Sequence, residues 1–204
     1  GHSPEILRYL WGQYHAPLGE QAAFLEPTPE RVELEKRIDR YGVDLQVWVY
    51  YHMLPHRDRL VRLWGAYDPE IPAWQRQLMQ LLYPALAYFL RRTFQITDEH
   101  YMKAVEHIDA MLRDVEERLG DGRASLMGDD EINYVDISFA AISGLWQQPD
   151  EYGGGKTDAC RLADDEFPQA FQSDVSRWRK EYPRAAAFIT RLSAEERVTE
   201  EQPA

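Results

Sequence analysis

The sequence predicts an all-helical fold, a bundle of about six to eight helices. Three observations carry that expectation. Apolar residues recur at three- and four-residue spacing over most of the chain. Alternating β-branched runs of the strand kind are nearly absent. Cap residues, first-turn prolines and acids punctuate the chain where helices should begin.

Taken in order, "SPEILRYLWGQY" opens with Ser3 as a candidate N-cap and Pro4 at the first helical position. Ile6, Leu7 and Leu10 follow at helical spacing. "APLGEQAAFLEPTPE" holds three prolines and a glycine and reads as a linker over 15–29. Thr28, Pro29 and Glu30 then give a cap, a proline at the first position and an acidic first turn. The helix they start carries Leu34, Ile38, Tyr41, Leu45 and Trp48 on one face and should end near Pro55.

"HRDRLVRLWGAY" reads as a short helix stopped by Gly65. An apolar helical stretch runs over 73–94, with a kink expected at Pro84. Thr97 caps the next helix, whose Val105, Ile108, Leu112, Val115 and Leu119 form the clearest stripe in the chain before Gly120 and Gly122 stop it. In "GDDEINYVDISFAAISG", Asn133 and Asp136 have the spacing of a reciprocal capping box, with Ile132 and Ile137 as a hydrophobic staple. Ala140, Ala141, Ser143 and Gly144 leave that helix thin, which suits the centre of a bundle. Two last helices fall at 168–182 and 184–192, separated by Pro183, and 194–204 reads as a polar tail.

Composition narrows the functional classes. The 35 acidic residues outnumber the 23 basic ones, for a net charge of −12. Such a surface repels phosphate backbones and anionic headgroups, so neither nucleic acid nor membrane is an expected partner. A single cysteine, Cys160, cannot make an internal disulfide and fits a reducing cytosol, and its acidic setting "DACRLADDE" would disfavour the thiolate. A cytoplasmic address follows as the expectation. The stretch "DEYGGGKTD" is one substitution from a phosphate-cradling G-x-x-x-x-G-K-T loop. It lacks the preceding strand and following helix that such a loop needs, and reads as a connector. His52 and His56 have the spacing of a helical metal pair, but Pro55 interrupts the turn that would join them and no third ligand is near. The acidic runs lack a calcium loop's pattern, so no metal is expected.

"LMGDDEINYVDISFAAI" resembles the capping-box segment that begins the central helix of the glutathione transferase C-terminal domain. Asn133 stands where that family has Ser or Thr, and Val135 where it has Ala. Three other segments fall in the family's order. "SPEILRYL" is similar to the start of the last helix of the thioredoxin-like domain, "PERVELEKRIDRYG" to the first long helix of the C-terminal domain, and "VSRWRKEYPRAAAFITRL" to its final helices. Residues 73–94 are an extra helix by this comparison. The resemblance implies that 1–14 combine a tag scar with a remnant of the thioredoxin-like domain, and that 30–193 form the C-terminal-type domain.

Glutathione is then the implied co-substrate of the intact protein, and Ser3 the remaining residue that would hold its γ-glutamyl carboxylate. His2 replaces the usual acid before it. The groups that activate the thiol belong to the missing domain, so this chain alone is expected to be inactive. The resemblance also implies a small hydrophobic electrophile as second substrate, with Tyr41, Asp44, Trp48, Tyr51 and His52 as the pocket wall, and a homodimer formed through the helices at 30–54 and 98–119. The alternative is a non-catalytic interaction module on the same scaffold, because function resides in the site and not in the fold. For Tyr41 and Trp48, core packing competes with a pocket role, since both lie on the buried stripe.

Overall fold

A computed structural model describes residues 3–128, 131–150 and 161–195. Among these there are eight α-helices and no strand. They are α1 (Ser3–Leu18), α2 (Pro29–Met53), α3 (Arg57–Leu63), α4 (Ala73–Thr93), α5 (Asp98–Arg118), α6 (Tyr134–Gln147), α7 (Gln169–Glu181) and α8 (Pro183–Glu195).

The caps form as their chemistry dictates. Thr28 accepts from the Arg31 N–H and starts α2, and Thr97 accepts from the His100 N–H and starts α5. Gly122, in the left-handed region at φ 83°, ends the turn that closes α5. α8 begins with Pro183 at its first position, and Glu116 of α5 accepts from the Arg184 and Ala185 N–H groups at 2.8 and 3.0 Å.

Before α6, Asn133 accepts from the Val135 N–H at 3.1 Å while Asp136 Oδ2 accepts from the Asn133 N–H at 2.9 Å, and the capping box closes. Asp136 does more than cap. Its fully buried carboxylate also accepts from the Ser125 hydroxyl and the Leu126 N–H, both at 2.8 Å, which ties the loop before α6 to its first turn. Of the expected staple pair, one side chain lies on the core and the other is partly exposed. Ile132 packs on the core, but Ile137 is 44% exposed because the first turn of α6 aims it outward.

The expected linker is revised. The stretch from 15 to 25 is not an open linker: α1 continues through Pro17 to Leu18, and a 3₁₀ turn spans Gly19–Leu25. Pro17 sits in the final turn, where it lacks the N–H that would donate to the Gln13 carbonyl, and α1 ends one residue later. Arg31 holds that turn by donating to the Ala23 and Glu26 carbonyls. α4 is a single helix through Pro84.

The core lies between α2, α5, α6 and α8. Leu34, Ile38, Tyr41, Leu45 and Trp48 of α2 are all buried, as are Ile108, Leu112 and Val115 of α5. Each such side chain contributes about 1.5–3 kcal/mol by leaving water. Gly42 of α2 faces Ile142 of α6, where an added Cβ would stand 3.5 Å from the isoleucine side chain. α1 attaches at one end through Arg8, which pairs with the buried Glu35 of α2 and lies over the Tyr134 ring.

Candidate functional site

The residues expected to form one pocket wall part company in the fold. Tyr41 turns to α6, where its hydroxyl lies 2.9 Å from Ser143 Oγ and accepts from Trp146 Nε1 at 2.9 Å. Burial pushes that hydroxyl's pKa well above its ordinary value, against the pull of the Ser143 and Trp146 bonds. Asp44 turns to α5. It is buried with Oδ2 3.3 Å from His107 Nδ1, and burial raises its carboxyl pKa while His107 works to lower it. Ser3 opens α1, and its side chain lies outside the described residues, as do Cys160 and most of the glycine-rich stretch.

Trp48, Tyr51 and His52 do come together, around a residue that sequence reasoning missed. Asp174 of α7 accepts from Trp48 Nε1 at 2.8 Å and from the Tyr101 hydroxyl at 3.1 Å, both through Oδ2. His52 Nε2 stands 3.5 Å from the same oxygen, long for a hydrogen bond. Tyr51 stacks on Tyr101 with ring centroids 4.0 Å apart and donates to Asp98 at 2.9 Å. Burial alone would raise the Asp174 pKa, but the groups facing it, His52, Trp48 and Tyr101, outweigh that and leave it lowered. Tyr101 is driven the other way, by burial and then by the Asp174 charge. The sequence did carry a signal. Asp174 is three residues after Phe171 and four before Trp178, so a carboxylate sits on a core-facing stripe.

The cavity lies on another face of α2. At 100° per residue, Gln46, Val49 and Tyr50 point away from the Asp44–Tyr51 side. They border a space of about 450 Å3 closed by α3, the end of α6 and the chain before α7. Tyr50, Trp64, Phe167 and Phe171 supply aromatic walls, and Gly65 and Gly144 leave the room. Gln46, Gln148 and Arg161 are the polar groups at its edge. Arg161 donates to the Gln148 carbonyl and to Asp150, both from Nη2. None of the five residues expected as the pocket wall borders this space. Trp64, just after α3, and Phe167 and Phe171 had no motif to announce them, because they converge only in three dimensions.

The cluster and the cavity share one wall. Phe171 stacks on Trp48 at 4.1 Å and on Phe167 at 4.3 Å. By holding Trp48, Asp174 fixes the ring against which Phe171 lies, so it is a positioning residue. The cavity itself can bind but has little with which to catalyse. Among the described residues, those that line it include no Ser, Cys, His, Asp or Glu. No group of three His, Cys, Asp or Glu side chains among the described residues could hold a metal ion, and His52 and His56 fall on opposite sides of the break between α2 and α3. No described helix is long and apolar enough to cross a membrane. Comparison with protein-family models, curated proteins and solved structures finds no match to this chain.

Proposed function

We propose that this chain is the helical, co-substrate-binding part of a glutathione transferase-like protein, with the cavity beside α2 receiving a small hydrophobic electrophile. The cavity carries the proposal: its size falls within the range of small-molecule sites, its walls are aromatic, and its described lining residues include no Ser, Cys, His, Asp or Glu. A binding half of that kind needs a second element to bring the reacting sulfur. The outward face of α1 supplies a place for one, since Ile6, Tyr9 and Tyr14 are exposed there. In the intact protein the thiolate of glutathione attacks the electrophilic carbon, a C–S bond forms, and the leaving group departs with its electron pair. Lowering the thiol pKa falls to the domain that packs on α1. A cytoplasmic address and a homodimeric state belong to the same proposal.

A second reading, a non-catalytic interaction module, is favoured by the apolar outer face of α4, which no cavity uses. The two separate by experiment. The message upstream of codon 3 should encode about 75–80 residues patterned β-α-β-α-β-β, one thioredoxin-like domain. The protein including them should conjugate glutathione to an activated aryl halide. A message without such a segment, or a longer protein inert in that assay, removes the transferase reading.

A further inference from the structure

We infer that the outer face of α4 is a self-association surface, on which a second copy of this chain lays its own α4 antiparallel. The inference stands on α4 alone and is independent of the cavity reading.

α4 is apolar on two opposite sides. Its inner side, Met79, Tyr83, Ala87 and Leu90, packs on the body, and the Tyr83 hydroxyl donates to the Leu54 carbonyl at 2.7 Å. Its outer side carries Trp74, Leu81, Tyr88 and Phe89, exposed by 61, 76, 62 and 64%, with Leu78, Leu82 and Leu86 around them. A helix apolar all round is stable in water only when both sides are covered. Seven large apolar side chains are thus exposed along one side of a single helix, where a monomer normally shows apolar residues scattered singly.

The spacing selects another helix as the cover. Trp74, Leu78, Leu81, Ala85 and Tyr88 follow each other by four, three, four and three residues, the seam of a two-helix coil. Charge selects its direction. α4 contains Arg76, Arg91 and Arg92 and no acid, while Asp68 and Glu70 lie just before its first turn. Arg92 lies on the outer side, at the C-terminal end of the seam. Parallel pairing would set Arg92 against its own copy. Antiparallel pairing about the Met79–Gln80 step sets it beside the partner's 67–70 turn, with its two acids, and opposes the helix dipoles. It also matches shapes along the seam: Trp74 meets Ala85, and Leu78 meets Leu81. By contrast, the outward faces of α2 and α5 offer only isolated apolar side chains, Val43 and Met102. The homodimer contact expected at 30–54 and 98–119 is therefore better assigned to α4.

Sedimentation equilibrium of the whole chain tests this. The expected result is a monomer–dimer equilibrium with Kd on the order of 1–10 µM. Leu81→Glu should weaken it by about 30-fold or more without changing the far-ultraviolet circular dichroism. Arg92→Glu should weaken it by about 5-fold, and adding Glu70→Arg should restore it. A wild-type chain that stays monomeric at about 100 µM would overturn the proposal. So would a dimer indifferent to Leu81→Glu, which would place the contact elsewhere. An Arg92→Glu variant that dimerises as before would remove the antiparallel arrangement. Partition of a monomeric wild-type chain onto phosphatidylcholine vesicles, lost in Leu81→Glu, would assign the face to lipid instead.

Discussion

α6 and α4 are the two helices richest in apolar residues, and the fold treats them in opposite ways. α6 is enclosed: Val135, Phe139, Ala140, Ser143, Gly144 and Trp146 are all buried, between α2 on one side and α8 on another. α4 buries a single residue, Tyr83, and shows its bulkiest side chains to solvent. Apolar content alone does not decide which helix goes inside. Width and the fate of polar ends do. α6 presents small residues at Ala140, Ser143 and Gly144, and the Asp136 carboxylate accepts from the Asn133 N–H of its cap and the Leu126 N–H of the preceding loop. α4 carries Leu, Trp, Tyr and Phe on opposite sides, so one contact with the body leaves the other side open.

The largest expected effect is at the start of α6. Asp136→Ala removes the acceptor for two backbone N–H groups and a hydroxyl in a fully buried place, and should cost about 4 kcal/mol in urea unfolding. An effect under about 1 kcal/mol would mean that the cap is not what seats α6 at the centre. Asp174→Asn comes next, at about 2 kcal/mol near neutral pH, since Trp48 and Tyr101 share its one oxygen. Its pH dependence has a definite sign. The folded pKa of Asp174 lies below its ordinary value, so its stabilisation is present above the usual carboxylate range and is lost as pH falls through the lowered pKa. Urea midpoints taken from neutral pH down to about pH 3 should therefore fall less steeply for Asp174→Asn than for the wild type.

Tyr41→Phe probes the contact between α2 and α6. It leaves Trp146 Nε1 without its acceptor and should cost about 1.5 kcal/mol. Gly42→Ala tests the same contact in the opposite direction. The added methyl would meet Ile142 at an ordinary distance, so the gain in helix propensity should raise stability by about 0.5–1 kcal/mol. Smallest of all should be the stability change on Leu81→Glu at the open face of α4, within about 0.5 kcal/mol for the monomer. A large loss there would mean that the outer side of α4 is buried within the chain after all.

Much of this contrast is legible in the sequence. The α2 and α5 stripes and the Asn133–Asp136 box depend on local spacing, and they fall where periodicity and capping chemistry put them. The homes of individual side chains on α2 are less legible. Tyr41, Asp44 and Trp48 lie within two turns and one arc of α2, yet they meet α6, α5 and α7, because several helices abut that side and local spacing does not say which one each side chain reaches. The cavity is the least legible feature, since Trp64, Phe167 and Phe171 meet Tyr50 only after α3 and α7 have docked. The outer face of α4 is written plainly as an apolar run, but its exposure depends on what the rest of the chain fails to cover.

The most direct test of the functional account is a titration with an aromatic anion, 1-anilinonaphthalene-8-sulfonate, whose rings match the cavity walls and whose sulfonate matches Arg161. The account predicts saturable binding of one molecule per chain, abolished by Leu145→Trp, which fills the space, and retained by Leu81→Glu, which alters only the α4 face. Binding that ignores Leu145→Trp, or that disappears with Leu81→Glu alone, would contradict a ligand site beside α2.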